Sequence, residues 1–99
     1  MGKIRLLVVG AGGHGCSVAE AAELSGQFDV VGFLDDSLTT SETVLGLPVL
    51  GSLASMANHR AAADQAIVAI GNNSVREKLM MQLVAVDFDL ATVVHPQAI

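Results

Sequence analysis

Gly10, Gly12, Gly13 and Gly15 fall within six residues, with only Ala11 and His14 between them. A stretch so poor in side chains does its chemistry through the main chain, whose amide N–H groups can surround an anion. The spacing Gly10-x-Gly12-x-x-Gly15 is that of the nucleotide-binding strand–turn–helix. In that unit one glycine permits a tight turn, one lets a phosphate approach the backbone, and one lets the helix pack close to the strand. His14 opens the helix, where the positive dipole end disfavours an imidazolium and leaves a neutral ring. Two readings of it stand: a hydrogen bond to phosphate or sugar hydroxyls, or a partly exposed loop histidine.

Ligands of open α/β sheets bind outside the carboxyl ends of the strands. Three polar clusters sit at such ends in this sequence: Gly10 to Gly15, Asp35-Asp36 and Gly71-Asn72-Asn73. Asp35 lies 20 residues after Gly15, where the ribose-binding acid of a dinucleotide fold is expected. A carboxylate there accepts from both ribose hydroxyls and repels a 2′-phosphate. Asp-Asp-Ser is also ordinary turn chemistry, so a capped turn is the competing reading. Asn72 and Asn73 can contact a ligand or cap the next helix. Arg76 can reach a phosphate or pair with Glu77. His95 ends the last major strand and could join the same edge, while His59 reads as solvated surface. Cys16, with no base or second thiol near it in sequence, reads as a small packing residue. The three histidines and one cysteine lack metal-ligand spacing, and no Ser-His-Asp constellation can be argued, so no catalytic or metal-binding residue is assigned.

The elements that must position these residues follow from periodicity. Ile4 to Val9 reads as a buried strand and Gly13 to Ser25 as a helix with Val18, Ala21, Ala22 and Leu24 inward. Gly26 is placed for a left-handed cap. Phe28 to Leu34 is a second strand, residues 37–46 a surface loop, and Leu47 to Leu50 a short extended segment whose Pro48 favours a sheet edge. Ser52 can cap a helix running to about Ala63 with Leu53, Met56 and Ala57 inward. Ala66 to Ile70 is a strand, and Ser74-Val75-Arg76-Glu77 matches a capping box that opens a helix with Leu79, Met80 and Leu83 inside. Ala91 to Val94 makes the last strand, ending at His95-Pro96. Strands alternating with helices predict an α/β fold, a small Rossmann-like parallel sheet with helices on both faces.

Composition narrows the function. With 52% apolar residues but three Phe and no Trp or Tyr, Val, Leu, Ile and Ala must fill the core. A formal charge of −5, with five scattered basic residues, excludes nucleic acid as partner, since phosphate-backbone binding needs clustered cations. No apolar run reaches the roughly 20 residues that span a bilayer. One cysteine and a strand that begins almost at Met1 fit a cytoplasmic chain without a signal peptide. The absence of an exposed apolar helix face or coiled-coil pattern predicts a monomer.

Gly12-Gly13-His14-Gly15, Val31-Gly32-Phe33-Leu34-Asp35-Asp36, Gly46-Leu47-Pro48-Val49-Leu50-Gly51, Ala69-Ile70-Gly71-Asn72-Asn73 and Val94-His95-Pro96 stand in an order and spacing that carry a resemblance. They resemble the N-terminal domain of the sugar O-acyltransferase and sialic-acid O-acetyltransferase family, whose relatives include bacterial UDP-4-amino-sugar N-acetyltransferases. The resemblance covers essentially the whole chain.

It implies a Rossmann-like domain over residues 1–95 that binds the UDP part of a UDP-sugar. Residues 96–99 would open a left-handed β-helix of hexapeptide repeats, which in the family binds acetyl-CoA, carries the catalytic histidine and forms a homotrimer. The chain itself would then bind substrate without a cofactor and without catalysis, and His95 is not the family's catalytic histidine. The resemblance places Gly10, Gly12, Gly13 and His14 around phosphate and sugar, Asp35 and Asp36 at the uridine, and Asn72 in the loop that approaches it. Relatives often carry Lys or Arg after Gly-His-Gly, where this sequence has Cys16. Competing readings are an NAD- or CoA-binding regulatory module without catalysis and a packing domain with a degenerate site.

Overall fold

Ile4–Val9 forms β1, and Leu6, Leu7, Val8 and Val9 are wholly buried because hydrogen-bonded strands flank them on both sides. A computed structural model of the chain describes residues 2–93, and six strands of those residues form one sheet. They are β1, β2 (Phe28–Leu34), β3 (Thr43–Val44), β4 (Leu47–Gly51), β5 (Gln65–Val68) and β6 (Asp89–Leu90), in the order β3-β4-β2-β1-β5-β6. All neighbours are parallel except β3 and β4.

Alternation along β1 divides the core between the two faces. Leu6 and Val8 pack with Phe33, Ala19 and Ala22, the last two from helix α1 (Gly13–Ser25). Leu7 and Val9 pack with Leu34, Met56, Leu79 and Leu83, the last two from helix α2 (Asn73–Ala85). Met56 comes from a 3-10 helix, Leu53–His59, on the same face. Each wholly buried Leu or Val contributes on the order of 1.5–3 kcal/mol relative to exposure, so a β1 apolar on both faces ties both layers to one strand. The α/β sheet with helices on both faces is therefore present, as a parallel sheet with one antiparallel edge hairpin.

That hairpin corrects the loop expected over residues 37–46. Thr43 and Val44 pair with Pro48 and Leu47 across a two-residue turn in which Leu45 (φ 54°) and Gly46 (φ 75°) are both left-handed. Leucine at such a position costs about 1–2 kcal/mol, so it gives no hairpin signal of the Asn-Gly kind. β3 also covers β4, so Pro48 does not lie on the outermost strand. Gly32 serves the same region: at φ 155° a Cβ would come within 2.6 Å of the Pro48 carbonyl oxygen.

Other boundaries move for identifiable reasons. The α-helix expected from Ser52 to Ala63 is the shorter 3-10 helix, with Leu53 half-buried and Ala57 exposed; the Ser52 side chain makes no capping bond. His59 is not merely solvated, since its Nε2 lies 3.2 Å from Ser55 Oγ. Asn72 rather than Ser74 caps α2, its Oδ1 accepting from the Val75 amide at 3.0 Å. Asn72 has the extended backbone that an N-cap requires, which leaves the capping box unformed. β5 begins and ends before the expected Ala66 to Ile70. The left-handed Asp87 (φ 70°) and the Phe88 amide bonded to Leu83 O turn the chain sharply after α2, so the last strand among the described residues forms at Asp89–Leu90, and Ala91, Thr92 and Val93 of the expected Ala91 to Val94 strand lie outside it. Val94, His95 and residues 96–99 lie outside the described residues. Gly26 caps α1 at φ 72° as expected.

Leu24 and Met80, expected inward, are exposed, as are Met81 and Val84. Met80, Met81, Val84 and Leu90 together give α2 and β6 an exposed apolar strip. The ground for expecting a monomer, that no such face exists, is corrected. No helix among the described residues is long and apolar enough to cross a membrane.

At the amino end of the sheet, Arg5 on β1 grips Asp64 just before β5, with Nη2 2.9 Å from Oδ1 and the Arg5 backbone amide 3.0 Å from Oδ2. These bonds, the guanidinium first, hold the Asp64 carboxyl down at about 2. An unfolded aspartate titrates near 3.9, so this contribution is complete above that range and is lost as pH falls toward 2. Thermal unfolding midpoints should decline as pH drops from about 5 to about 2, and Asp64→Asn should remove part of that slope. A variant with the wild-type slope would exclude the pair as its source.

Candidate functional site

The sheet's carboxyl edge places three chain segments side by side. β1 runs into Gly10, whose amide donates to Leu34 O on β2 at 2.7 Å; the Ala69 amide donates back to Val9 O at 2.8 Å. The Asp35 amide donates to Gly51 O at 3.0 Å, fixing the start of the β2 turn against β4. Between these segments lies a cleft of about 400 Å³, lined by Gly10, Gly12, Gly13, His14, Asp35 and Asp36, and also by Ser37, Leu53 and the Ala69-Ile70-Gly71 turn.

The glycines play different parts. A Cβ on Gly15 would sit 1.9 Å from the Gly10 carbonyl oxygen, so Gly15 is the helix-packing position and does not line the cleft. Gly10 adopts φ 108°, and its Cβ would come within 2.9 Å of Ala69 O. At Gly12 and Gly13 a Cβ would meet nothing within 4 Å. No protein packing demands glycine at those two places, and both border the cleft. Gly12 is the N-cap of α1 and brings no capping side chain, and the first turn holds no acid. Among the described residues the amides of Gly12, Gly13 and His14 have no acceptor. The positive end of the α1 dipole therefore opens on the cleft with no side chain of its own first turn to compensate it.

The acids face that end. Asp35 Oδ2 accepts from the Ala11 amide at 2.8 Å, and Oδ1 accepts from the Ser37 amide at 2.8 Å and from the Ser37 hydroxyl. These bonds, the Ser37 hydroxyl's first, lower the Asp35 pKa below the usual carboxylate range against the opposing effect of partial burial. Asp36 is exposed, and its Oδ1 accepts from the Leu53 amide at 2.8 Å. It thereby caps the 3-10 helix in place of Ser52 and holds Leu53 at the cleft wall. Carboxylate acceptors and amide donors within one cleft can together hold a polyanion that also carries hydroxyls or ring N–H groups.

Six of the eight site residues expected from sequence thus line one cleft, and Gly15 supports it from behind. Asn72 does not line it: its side chain is engaged as the α2 cap, and Gly71 of the same turn lines the cleft instead. Arg76 also stands apart, its Nη2 bonded to Asn73 Oδ1 at 2.7 Å rather than to Glu77. Cys16 is half-buried with Sγ 3.9 Å from Ala11 O. Leu53, Ser37 and Ile70 were missed; Ser37 could have been found, since Asp-x-Ser favours a side-chain-to-amide turn. A larger hollow of about 570 Å³ on α2, lined mostly by Met80, Met81, Val84 and Leu90, offers one carboxylate and no converging donors, so the smaller cleft is the candidate site.

Comparison with known proteins adds to this geometry. The model of the PglD N-terminal domain family matches residues 5–83. The acetyltransferase domain of PglB from Neisseria gonorrhoeae, solved in complex with acetyl coenzyme A, is 37% identical, with a TM-score of 0.82 over 96% of this chain and 45% of that one. A mutant perosamine N-acetyltransferase from Caulobacter crescentus, solved with CoA and GDP-perosamine, is 31% identical, with a TM-score of 0.84 over 97% of this chain and 44% of that one. The chain therefore spans less than half the length of these structures. A Rex-family repressor, RSP, shares the fold at a TM-score of 0.73 and 15% identity. No curated protein is matched by sequence.

The contact at Gly15 gives a direct check. Gly15→Ala forces a methyl against backbone, and overpacking of that kind costs roughly 1–3 kcal/mol or more. Chemical denaturation should show a loss of at least that size, whereas Gly12→Ala should leave stability within about 0.5–1 kcal/mol. Equal stability of Gly15→Ala and wild type would contradict the close approach.

Proposed function

The chain belongs to the PglD N-terminal domain family, and from that footing we propose that it binds the nucleoside diphosphate part of a nucleotide sugar for a sugar acetyltransferase. The observation that carries the reading is the pairing, in one cleft, of acceptor-free amides at Gly12, Gly13 and His14 with the acids Asp35 and Asp36. The amides and the α1 dipole would hold the diphosphate, an arrangement that needs no cation and so tolerates Cys16 where relatives often carry Lys or Arg. His14, exposed at the same turn, would donate to phosphate or sugar. Asp36 would accept from a ribose hydroxyl or a base N–H, with Leu53 and Ile70 as apolar walls.

A relative holds GDP-perosamine, which supports the nucleotide-sugar class. The UDP form is the one that the sequence resemblance names, and we adopt it. Acetyl-CoA belongs to the relatives' reaction, and both matched structures were solved with it or with CoA. On this reading its groove, the catalytic histidine and the trimer contacts lie in the part of the relatives that this chain does not match, and the chain alone binds without transferring acetyl. The full protein would work in the cytoplasm. The rival, an NAD-responsive module, has only the shared fold of the Rex-family repressor behind it.

Calorimetry against a UDP-sugar, a GDP-sugar, NAD and CoA tests this. The UDP-sugar should bind, and CoA and NAD should not. His14→Ala should weaken UDP-sugar binding about three- to tenfold, the size of one lost hydrogen bond. Binding of NAD without any UDP-sugar binding would reverse the assignment.

A further inference from the structure

We infer that Asp35 serves the nucleotide site as a positioning residue, setting the glycine turn through the Ala11 amide and leaving ligand contact to Asp36. The inference rests on the functional reading above. A carboxylate offers about four acceptor positions. Asp35 uses three of them within the protein, two on Oδ1 for Ser37 and one on Oδ2 for Ala11. Ala11 is itself buried, so its amide needs an acceptor and has this one. The one position left is on Oδ2, so a ligand donor taking it would compete for the oxygen that holds the Ala11 amide. With the Ala11 amide drawn onto β2, the amides that remain for an anion are those from Gly12 onward, and Gly12 and Gly13 border the cleft.

Asp36 is placed differently. It is exposed and makes one bond, through Oδ1 to Leu53, while its Oδ2 has no partner among the described residues. The two neighbouring acids therefore divide the work. Asp35 shapes the phosphate end of the cleft from behind, and Asp36 presents a free oxygen to the nucleoside end.

NMR titration of the chain with UDP and with uridine separates these roles, because only UDP reaches the glycine turn. In Asp35→Asn the amide cannot accept from both Ala11 and Ser37, so the turn loosens. UDP affinity should fall about tenfold while uridine affinity stays within about twofold. Asp36→Asn should weaken both ligands by a similar factor. Equal losses for UDP and uridine in Asp35→Asn would overturn the inference while leaving the functional reading intact. A wild-type chain that binds neither ligand overturns both. A further readout needs no variant: the Ala11 amide of the wild type should keep its resonance position and slow solvent exchange when UDP saturates the site. Release of that amide on saturation would show Asp35 turning to the ligand and would likewise overturn the inference.

Discussion

Of the glycines among the described residues, Gly15 leaves the least room for a side chain, where helix α1 meets the strand that feeds it. With 1.9 Å between a notional Gly15 Cβ and the Gly10 carbonyl oxygen, the helix can begin where it does only because position 15 has no side chain. That contact brings the first turn of α1 directly over the end of β1. Gly10 completes the constraint with a backbone angle that other residues adopt only under strain. The remaining features of the cleft depend on this start point, since a helix displaced outward would carry the amides of Gly12 and Gly13 away from the β2 acids.

The acids then join the glycine turn to the rest of the sheet. Asp35 ties β2 to β1 through Ala11, and Asp36 ties the same turn to the 3-10 helix through Leu53. Two adjacent carboxylates thus fasten three elements around one cleft. The core below is built to support this. β1 is apolar on both faces, so α1 and α2 are anchored through the strand that leads into the glycine turn.

Much of this was legible in the sequence where local and global signals agree. β1, α1 and β2 fall where the apolar runs, the glycines and Gly26 place them, because burial on both sides of a central strand enforces an apolar run that nothing else explains. The glycine spacing and Asp35-Asp36 also announced one edge of the sheet. What was not legible depended on contacts distant in sequence or on disfavoured backbone. Leu45 takes a left-handed angle that its type gives no reason to expect, so β3 was hidden. Ser52 and Ser74 are good capping types, yet the side-chain acceptors at these two helix starts are Asp36, which takes the Leu53 amide, and Asn72, which takes the Val75 amide, a choice settled by geometry. Leu53 reaches the cleft only because Asp36, 17 residues earlier, fixes its amide. The apolar strip on α2 was obscured because its methionines and valine share the helix with the buried Leu79 and Leu83.

The central claim is that main-chain amides at the head of α1 hold a diphosphate. A crystal structure of the chain soaked with a UDP-sugar tests it most directly. The account predicts diphosphate oxygens within about 3 Å of the Gly12 and Gly13 nitrogens, the hydrogen-bond distance for N–H···O, with the nucleoside running toward Asp36. A nucleotide bound elsewhere, or in this cleft with its phosphates turned away from the glycine turn, would contradict it.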